Sequence, residues 1–304
     1  MSSAGGAGAL TALGSASSPN RGNAEPQSPL DLFQQTGASP SKKVYMVTDM
    51  EGVDGIFNWN EQCAPFQGAR WAESQKLLTD EVNAAVDGLF AGGATEVHVA
   101  DLHDSSRSLS VATIDPRAQL LQGQGFPPTL GLDPSYSAAI FVGQHPMAGA
   151  TNGVLSHTQD FNIENVWVNN KLVGELGERT MLAGHYGVPV IMLAGDTAAC
   201  KELLDLVPNA ECAAVKTGFS RSAGISLSHP AAVKLIREKA QRAMERLSEI
   251  KPYRISGPVE VRVQFTVLGI NSYRPPGHPE RINDRTYVYR GKDIIEAWTQ
   301  WMDF

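Results

Sequence analysis

Five side chains able to hold a metal ion, Asp49, Glu51, His103, His145 and Glu175, stand where strands are expected to end in the first half of this 304-residue chain. Asp49 and Glu51 close the apolar run that begins at Val44, His103 follows the run Val97 to Ala100, and His145 follows Ile140 to Val142. Asp49 and Glu51 are two residues apart, so an extended backbone would turn both to one side and Met50 to the other. Neighbouring carboxylates repel unless a cation lies between them or one takes a proton. Taken alone, an Asp-x-Glu-Gly segment is more often a solvated turn and a single histidine more often structural. The repetition of ligand-type residues at separate strand ends is what points to a metal site. Glu175 falls in the first turn of an expected helix, where the helix dipole alone favours an acid. A catalytic zinc takes about three protein ligands and keeps a place for water, so two ions sharing one carboxylate would use five residues.

His157, twelve residues beyond His145 across the small-residue loop Met147 to Gly153, is a further candidate. An imidazole beside metals can transfer a proton or attack directly, because it titrates near working pH; an exposed loop histidine fits the sequence equally well. Asp101, Asp104 and Asp196 are candidates to orient ligand histidines. Lys216, Arg221 and Ser222 are candidates for a substrate carboxylate, against the plainer reading of a solvated loop. His98, His185, His229 and His278 carry no such indication.

The elements that would position these groups alternate between strand and helix. Runs over 44–49, 95–101, 137–143 and 188–195 read as buried strands, and Trp71, Leu77, Leu78, Val82, Ala85, Val86 and Leu89 have helical spacing over 69–90, stopped by Gly92 and Gly93. Strand, long helix, strand is a βαβ unit and implies a parallel sheet. In such a sheet, ligands gather at the carboxyl ends of the strands. Residues 166–173 read as a hairpin turning at Asn169 and Asn170, followed by a helix over 175–186. Ser228 can cap a helix over 229–250, and 259–267 alternates like a strand with one wet face. A further strand at 286–289 and a helix from Gly291 close the chain. The expected architecture is α/β, a parallel-rich sheet flanked by helices, with a smaller α+β C-terminal region. The expected division is a tail over 1–42, a metal-binding catalytic domain over 43–225 and the smaller region over 226–304.

A chain that is 42% hydrophobic with a net charge of −7 is an ordinary globular sequence and a poor partner for nucleic acid or an anionic membrane surface. No stretch approaches the roughly 18 apolar residues of a membrane span. The three cysteines, Cys63, Cys200 and Cys212, are too few and too scattered for a disulfide framework. The sparse cysteines suit a cytoplasmic, reducing compartment. The alternative is export, if the Gly/Ala/Ser-rich stretch 4–17 is the remnant of a signal lacking its basic start; otherwise the composition of 1–42 reads as a disordered tail.

With these residues in view, the chain resembles the D-aminopeptidase family of zinc metallopeptidases. The matching segments are Asp49 to Gly52, Asp101 to His103, Gly143 to His145, Gly153 to His157, Val173 to Gly177, Val190 to Asp196 and Ala214 to Ala223, in order over about 43–225. The resemblance implies two zinc ions per subunit, with Asp49 bridging, Glu51 and His145 completing one site, His103 and Glu175 the other, and His157 as catalytic histidine or nucleophile. It also implies a ring-like homo-oligomer, with a decamer as the candidate size, acting on short peptide substrates. The function expected is a dinuclear zinc aminopeptidase that removes N-terminal amino acids, D-amino acids in particular, from short peptides or amides. A di-metal phosphoesterase and a metal-dependent peptide-binding protein without turnover are the alternatives, although neither a Gly-Asn-His segment nor a phosphate loop is present.

Overall fold

A strand covered on both faces has no wet side, so it reads as an unbroken apolar run rather than an alternation. β1 (Lys43–Thr48), β4 (Ala138–Gln144) and β7 (Val190–Asp196) are of this kind, and β2 (Glu96–Asp101) is equally buried from Val97 on although His98 interrupts its apolar residues. The computed structural model describes residues 41–104, 106–123, 129–269, 275, 277 and 279–302. Residues 1–40, which hold most of the expected tail, and His278 lie outside them. With β3 (Ala118–Leu121), β8 (Glu211–Ser220) and β9 (Ala223–Ser226), the four strands form a seven-stranded sheet ordered β3-β2-β1-β4-β7-β8-β9. All its pairings are parallel except β8 with β9. The order reverses between β1 and β4, which makes the crevice beyond their carboxyl ends the topological switch point.

The helix expected over 69–90 is α1 (Trp71–Ala91), with Leu78, Val82, Ala85, Val86 and Leu89 buried. It packs against α4 (His229–Glu245) so closely that a Cβ on Gly88 would lie 2.2 Å from the Arg237 carbonyl oxygen. Ser228 occupies the N-cap position of α4, but its side chain makes no capping hydrogen bond. The other helices are α2 (Glu175–His185), α3 (Thr197–Leu206) and α5 (Ile294–Met302).

A second, antiparallel sheet is ordered β11-β12-β10-β5-β6, from β5 (Ile163–Val168), β6 (Lys171–Val173), β10 (Val259–Phe265), β11 (Glu280–Asn283) and β12 (Thr286–Gly291). The hairpin β5–β6 turns where expected, with φ of 47° at Asn169 and 66° at Asn170, the left-handed pair a two-residue turn requires. The sheets do not divide the chain near residue 225. β5 and β6 come from inside 43–225, while α4 from the later region packs on the first sheet's helix α1. The cause is the one-sided hairpin: Val166, Val168 and Val173 bury only by joining Val261, Val263, Phe265, Trp298 and Trp301 in a separate apolar cluster. All three cysteines are free thiols. Among the described residues no helix is long and apolar enough to cross a membrane.

Candidate metal centre

The switch point holds the ligand-type residues because two backbones meet there without side chains between them. Asp49 N–H donates to Val142 O (2.9 Å) and Gly52 N–H to Gly143 O (2.7 Å), so the loop after β1 leans on the end of β4. A Cβ on Gly143, whose φ is +74°, would lie 2.0 Å from Asp49 O, and one on Gly52 would lie 2.2 Å from Gln144 O. Only glycine permits that approach. Asp49 and Glu51 therefore do not converge as alternate residues of an extended strand. The backbone turns after Thr48, and the Met50 N–H faces both carboxylates, 2.9 Å from Asp49 Oδ1 and 3.3 Å from Glu51 Oε2.

All five expected ligands are buried and adjacent. His103 Nδ1 is 3.1 Å from Asp49 Oδ1 and 3.3 Å from Glu51 Oε2, and His145 Nε2 is 3.4 Å from both Asp49 Oδ2 and Glu175 Oε1. Asp49 thus turns one oxygen to each histidine, as a shared ligand must. Ligands about 2.0–2.1 Å from a tetrahedral zinc stand about 3.3 Å apart, so these separations fit the edges of such a site. His157 Nε2 lies 3.8 Å from Glu175 Oε1, a little beyond that edge. Proximity divides the donors into Asp49, Glu51 and His103 on one side and His145, His157 and Glu175 on the other. This grouping differs from the pairing the family resemblance implies.

The imidazole tautomers argue further for a cation. A carbonyl oxygen only accepts hydrogen bonds, so each ring nitrogen facing one must carry the proton. His103 Nε2 donates to Cys63 O (2.8 Å), His145 Nδ1 to Pro146 O (2.9 Å) and His157 Nδ1 to Leu155 O (2.8 Å). The opposite nitrogens of neutral rings then turn lone pairs toward carboxylates, acceptor against acceptor, and His145 Nε2 is buried with no hydrogen-bond partner. A second proton on the ring or a metal ion between the donors resolves this, as would a proton on the facing carboxyl. Protons are favoured for the same reason. Burial opposes it, but the Glu51 and Asp49 carboxylates raise the His103 pKa well above the ordinary value, and Asp49 and Glu175 do so for His145. Conversely, His103 and His145 outweigh burial and hold Asp49 well below the usual carboxylate range.

His157 differs in charge. Burial and the neighbouring His145, whose ring stacks on it at 3.9 Å, push its pKa down and so favour the neutral ring. It lines a cavity of about 470 Å³ with Asp49, Glu51, His103 and Glu175, walled by Trp59, Phe161, Leu130, Trp298 and Met302. The β1 loop lies over Lys216, whose Nζ donates to the carbonyl oxygens of Glu51 (2.5 Å), Val53 (2.9 Å) and Ile56 (2.6 Å). Lys216 is therefore committed to the protein's own backbone and does not take a substrate carboxylate; the end of β8 buries it beneath the loop. Arg179, one turn along α2, places Nη2 3.0 Å from Glu175 Oε2 and with His145 holds that carboxyl down to about 2 against burial, which raises it.

Sequence reasoning missed Arg179, the purpose of Lys216 and the aromatic wall. The i,i+4 spacing of Glu175 and Arg179 was the available signal for the first. The orienting partners of the histidines are backbone carbonyls rather than Asp101, Asp104 or Asp196. The Asp101 carboxylate accepts the N–H groups of Ser108 and Leu109, and Asp196 caps α3 at Ala198 and accepts Val154 N–H. The Met147–Gly153 segment is pinned by Ala150 N–H to Met147 O and Gly153 N–H to Ala150 O. Of the histidines set aside, His98 bonds Tyr136, His185 packs on Tyr186, and His229 bridges Asp54 and Asp80.

Three comparisons agree with this geometry. A protein-family model described as Peptidase_M55, D-aminopeptidase, matches residues 42–302. A curated D-aminopeptidase of Bacillus subtilis (strain 168) is 35% identical over 261 residues, covering 84% of this chain and 94% of that protein. A solved structure, the Zn-dependent D-aminopeptidase DppA from Bacillus subtilis, described as a self-compartmentalizing protease, superposes with a TM-score of 0.79 at 32% identity, covering 86% of this chain and 96% of its own. The chain belongs to the D-aminopeptidase family, peptidase family M55.

Proposed function

We propose that this protein is a dinuclear zinc aminopeptidase that removes N-terminal D-amino acids from short peptides or amides. The observation that carries the reading is the set of buried imidazole nitrogens directed at the Asp49, Glu51 and Glu175 carboxylates. Asp49 would be the shared ligand, and Glu51, His103, His145 and Glu175 would complete the set. Zinc, when bound, supplies a Lewis acid for the scissile carbonyl and lowers the pKa of water. His157 is the proton carrier: its Nδ1 is fixed on Leu155 O, and its neutral Nε2 accepts a proton during attack and returns it to the leaving amine. Trp59 and Phe161, in edge contact at 5.0 Å, wall the cavity beside His157. The D preference is supported by the curated relative's activity. The description of the solved relative as self-compartmentalizing supports a ring-like homo-oligomer, the decamer being the size to test by light scattering.

Metal-stripped protein given Zn²⁺ is expected to bind two ions per chain by elemental analysis and to regain cleavage of a D-alanyl amide, with both properties lost in Asp49→Asn. Cleavage of the L-alanyl amide alone would move the specificity and keep the site. Failure of zinc to restore any cleavage would refute the reading.

A further inference from the structure

Pairing of β8 with β7 ends at Lys216, and residues 217–220 continue past the sheet edge as a hairpin with β9. Arg221 sits in the turn. This hairpin is tied to the loop that carries His157: Leu155 N–H donates to Arg221 O (2.8 Å), and Gly218 lies so close that a Cβ there would be 2.1 Å from Asn152 O. The exposed side chain places its Cζ over the Phe161 ring, 4.6 Å from the centroid. Phe161 lines the cavity, and its ring centre is 4.5 Å from that of His157. The guanidinium is therefore at most about 9 Å from the His157 ring centre. Among the described residues it has no carboxylate partner. A guanidinium held over an aromatic ring keeps its in-plane N–H edge available for a planar acceptor.

We propose that Arg221 is the specificity residue that binds the free C-terminal carboxylate of the peptide and so selects short substrates. The proposal rests on the aminopeptidase reading of the site. An extended chain advances at most about 3.3–3.6 Å per residue, and a carboxylate carbon paired with a guanidinium lies roughly 4 Å from Cζ. One or two residues after the scissile bond therefore span the distance from the His157 region to Arg221. A longer peptide carries its carboxylate past the guanidinium, and an amidated one offers it no charge. Arg221 lies at the mouth beyond Phe161, away from the metal ligands, so its effect falls on binding rather than on the chemical step.

The test compares D-alanylglycine with D-alanylglycinamide on zinc-loaded wild type, Arg221→Ala and Arg221→Lys. Charge-assisted pairing at a partly solvated site predicts a wild-type preference for the acid of roughly tenfold or more in kcat/KM. In Arg221→Ala that preference collapses toward one through a raised KM for the acid, and Arg221→Lys recovers part of it. A wild type with no preference, a ratio unmoved by Arg221→Ala, or an equal loss on both substrates would each overturn the proposal. Calorimetric titration with the reduced-bond analogues of the acid and the amide reads the same ratio without turnover. A carboxylate preference lost in Arg221→Ala there, with neither substrate cleaved, would keep the anchor and remove the peptidase reading.

Discussion

Replacing Lys216 with methionine should loosen the metal centre from beneath. The side chain is 2% exposed, and its three donors are spent on Glu51 O, Val53 O and Ile56 O, the backbone of the loop that presents Asp49 and Glu51. Each buried carbonyl left without a donor costs about 1–3 kcal/mol. Val53 O retains only a long 3.4 Å bond from Ile56 N–H. Against that loss stands relief of the ammonium's own burial, which pushes its pKa down from 10.5 to about 8, a penalty of about 3 kcal/mol on the charged form. Methionine fills a similar volume without a charge, so the net destabilisation expected is about 3 kcal/mol. For a domain of this size that lowers the melting temperature by roughly 6–12 °C. Displacement of the Glu51 carboxylate should also weaken zinc binding by roughly 10–100-fold, the usual cost of removing a group that orients a ligand. Thermal unfolding of metal-stripped protein and competition for zinc with a chelator measure the two effects separately. A Lys216→Met protein with unchanged melting temperature and unchanged zinc affinity would refute the view that the lysine supports the loop.

Arg179→Gln leaves the buried Glu175 carboxylate without its 3.0 Å cation, and loss of one partner of a buried pair predicts about 3–5 kcal/mol lower stability in metal-stripped protein, read by denaturant titration. Burial pushes the Glu178 carboxyl up to about 7 from an ordinary 4.5, so the folded state keeps a proton that the unfolded chain releases. Stability of metal-stripped protein should therefore fall by up to about 3 kcal/mol as pH rises from 4.5 through 7, and Glu178→Gln should flatten that slope; a variant with the same slope would show that another group is responsible. Gly143→Ala places a methyl 2.0 Å from Asp49 O at a φ of +74°, and should cost more than about 3 kcal/mol together with loss of zinc, whereas normal zinc uptake would contradict the close approach drawn at the switch point.

The strands that carry the site were legible because helices cover both faces of their sheet, which makes β1, β4 and β7 nearly continuous apolar runs; in β2 the same cover buries His98 and Ala100 along with Val97 and Val99, so alternation could not have ranked them. The candidate ligands after β1, β2 and β4 were legible because each of these strands is followed by a residue that an apolar layer would not otherwise keep, whereas β7 ends in the helix cap Asp196 and Glu175 opens a helix. The layering was not. The hairpin 163–173 is local in sequence, yet its partner β10 begins at Val259, and no pattern in a single strand names the strand it will pair with. Lys216 read as a solvated loop residue because its partners are carbonyls from residues 51–56, on the other side of the sheet's order.

What decides the chemistry lies deeper than residue types. Cys63, Pro146 and Leu155 orient the three imidazoles through their backbone oxygens, and any residue has such an oxygen, so sequence carries no mark of it. Yet these three bonds set which nitrogens face the carboxylates. With the far nitrogens committed, His103 and His145 meet Asp49, Glu51 and Glu175 through a shared proton or as ligands of a shared cation. His157 is fixed in the same way but lies beyond the 3.4 Å spacing of the others, and its pKa is lowered where theirs are raised. One backbone device thus yields two kinds of histidine: two carboxylates reach the free nitrogen of His103 and of His145, whereas burial and the stacked His145 dominate at His157.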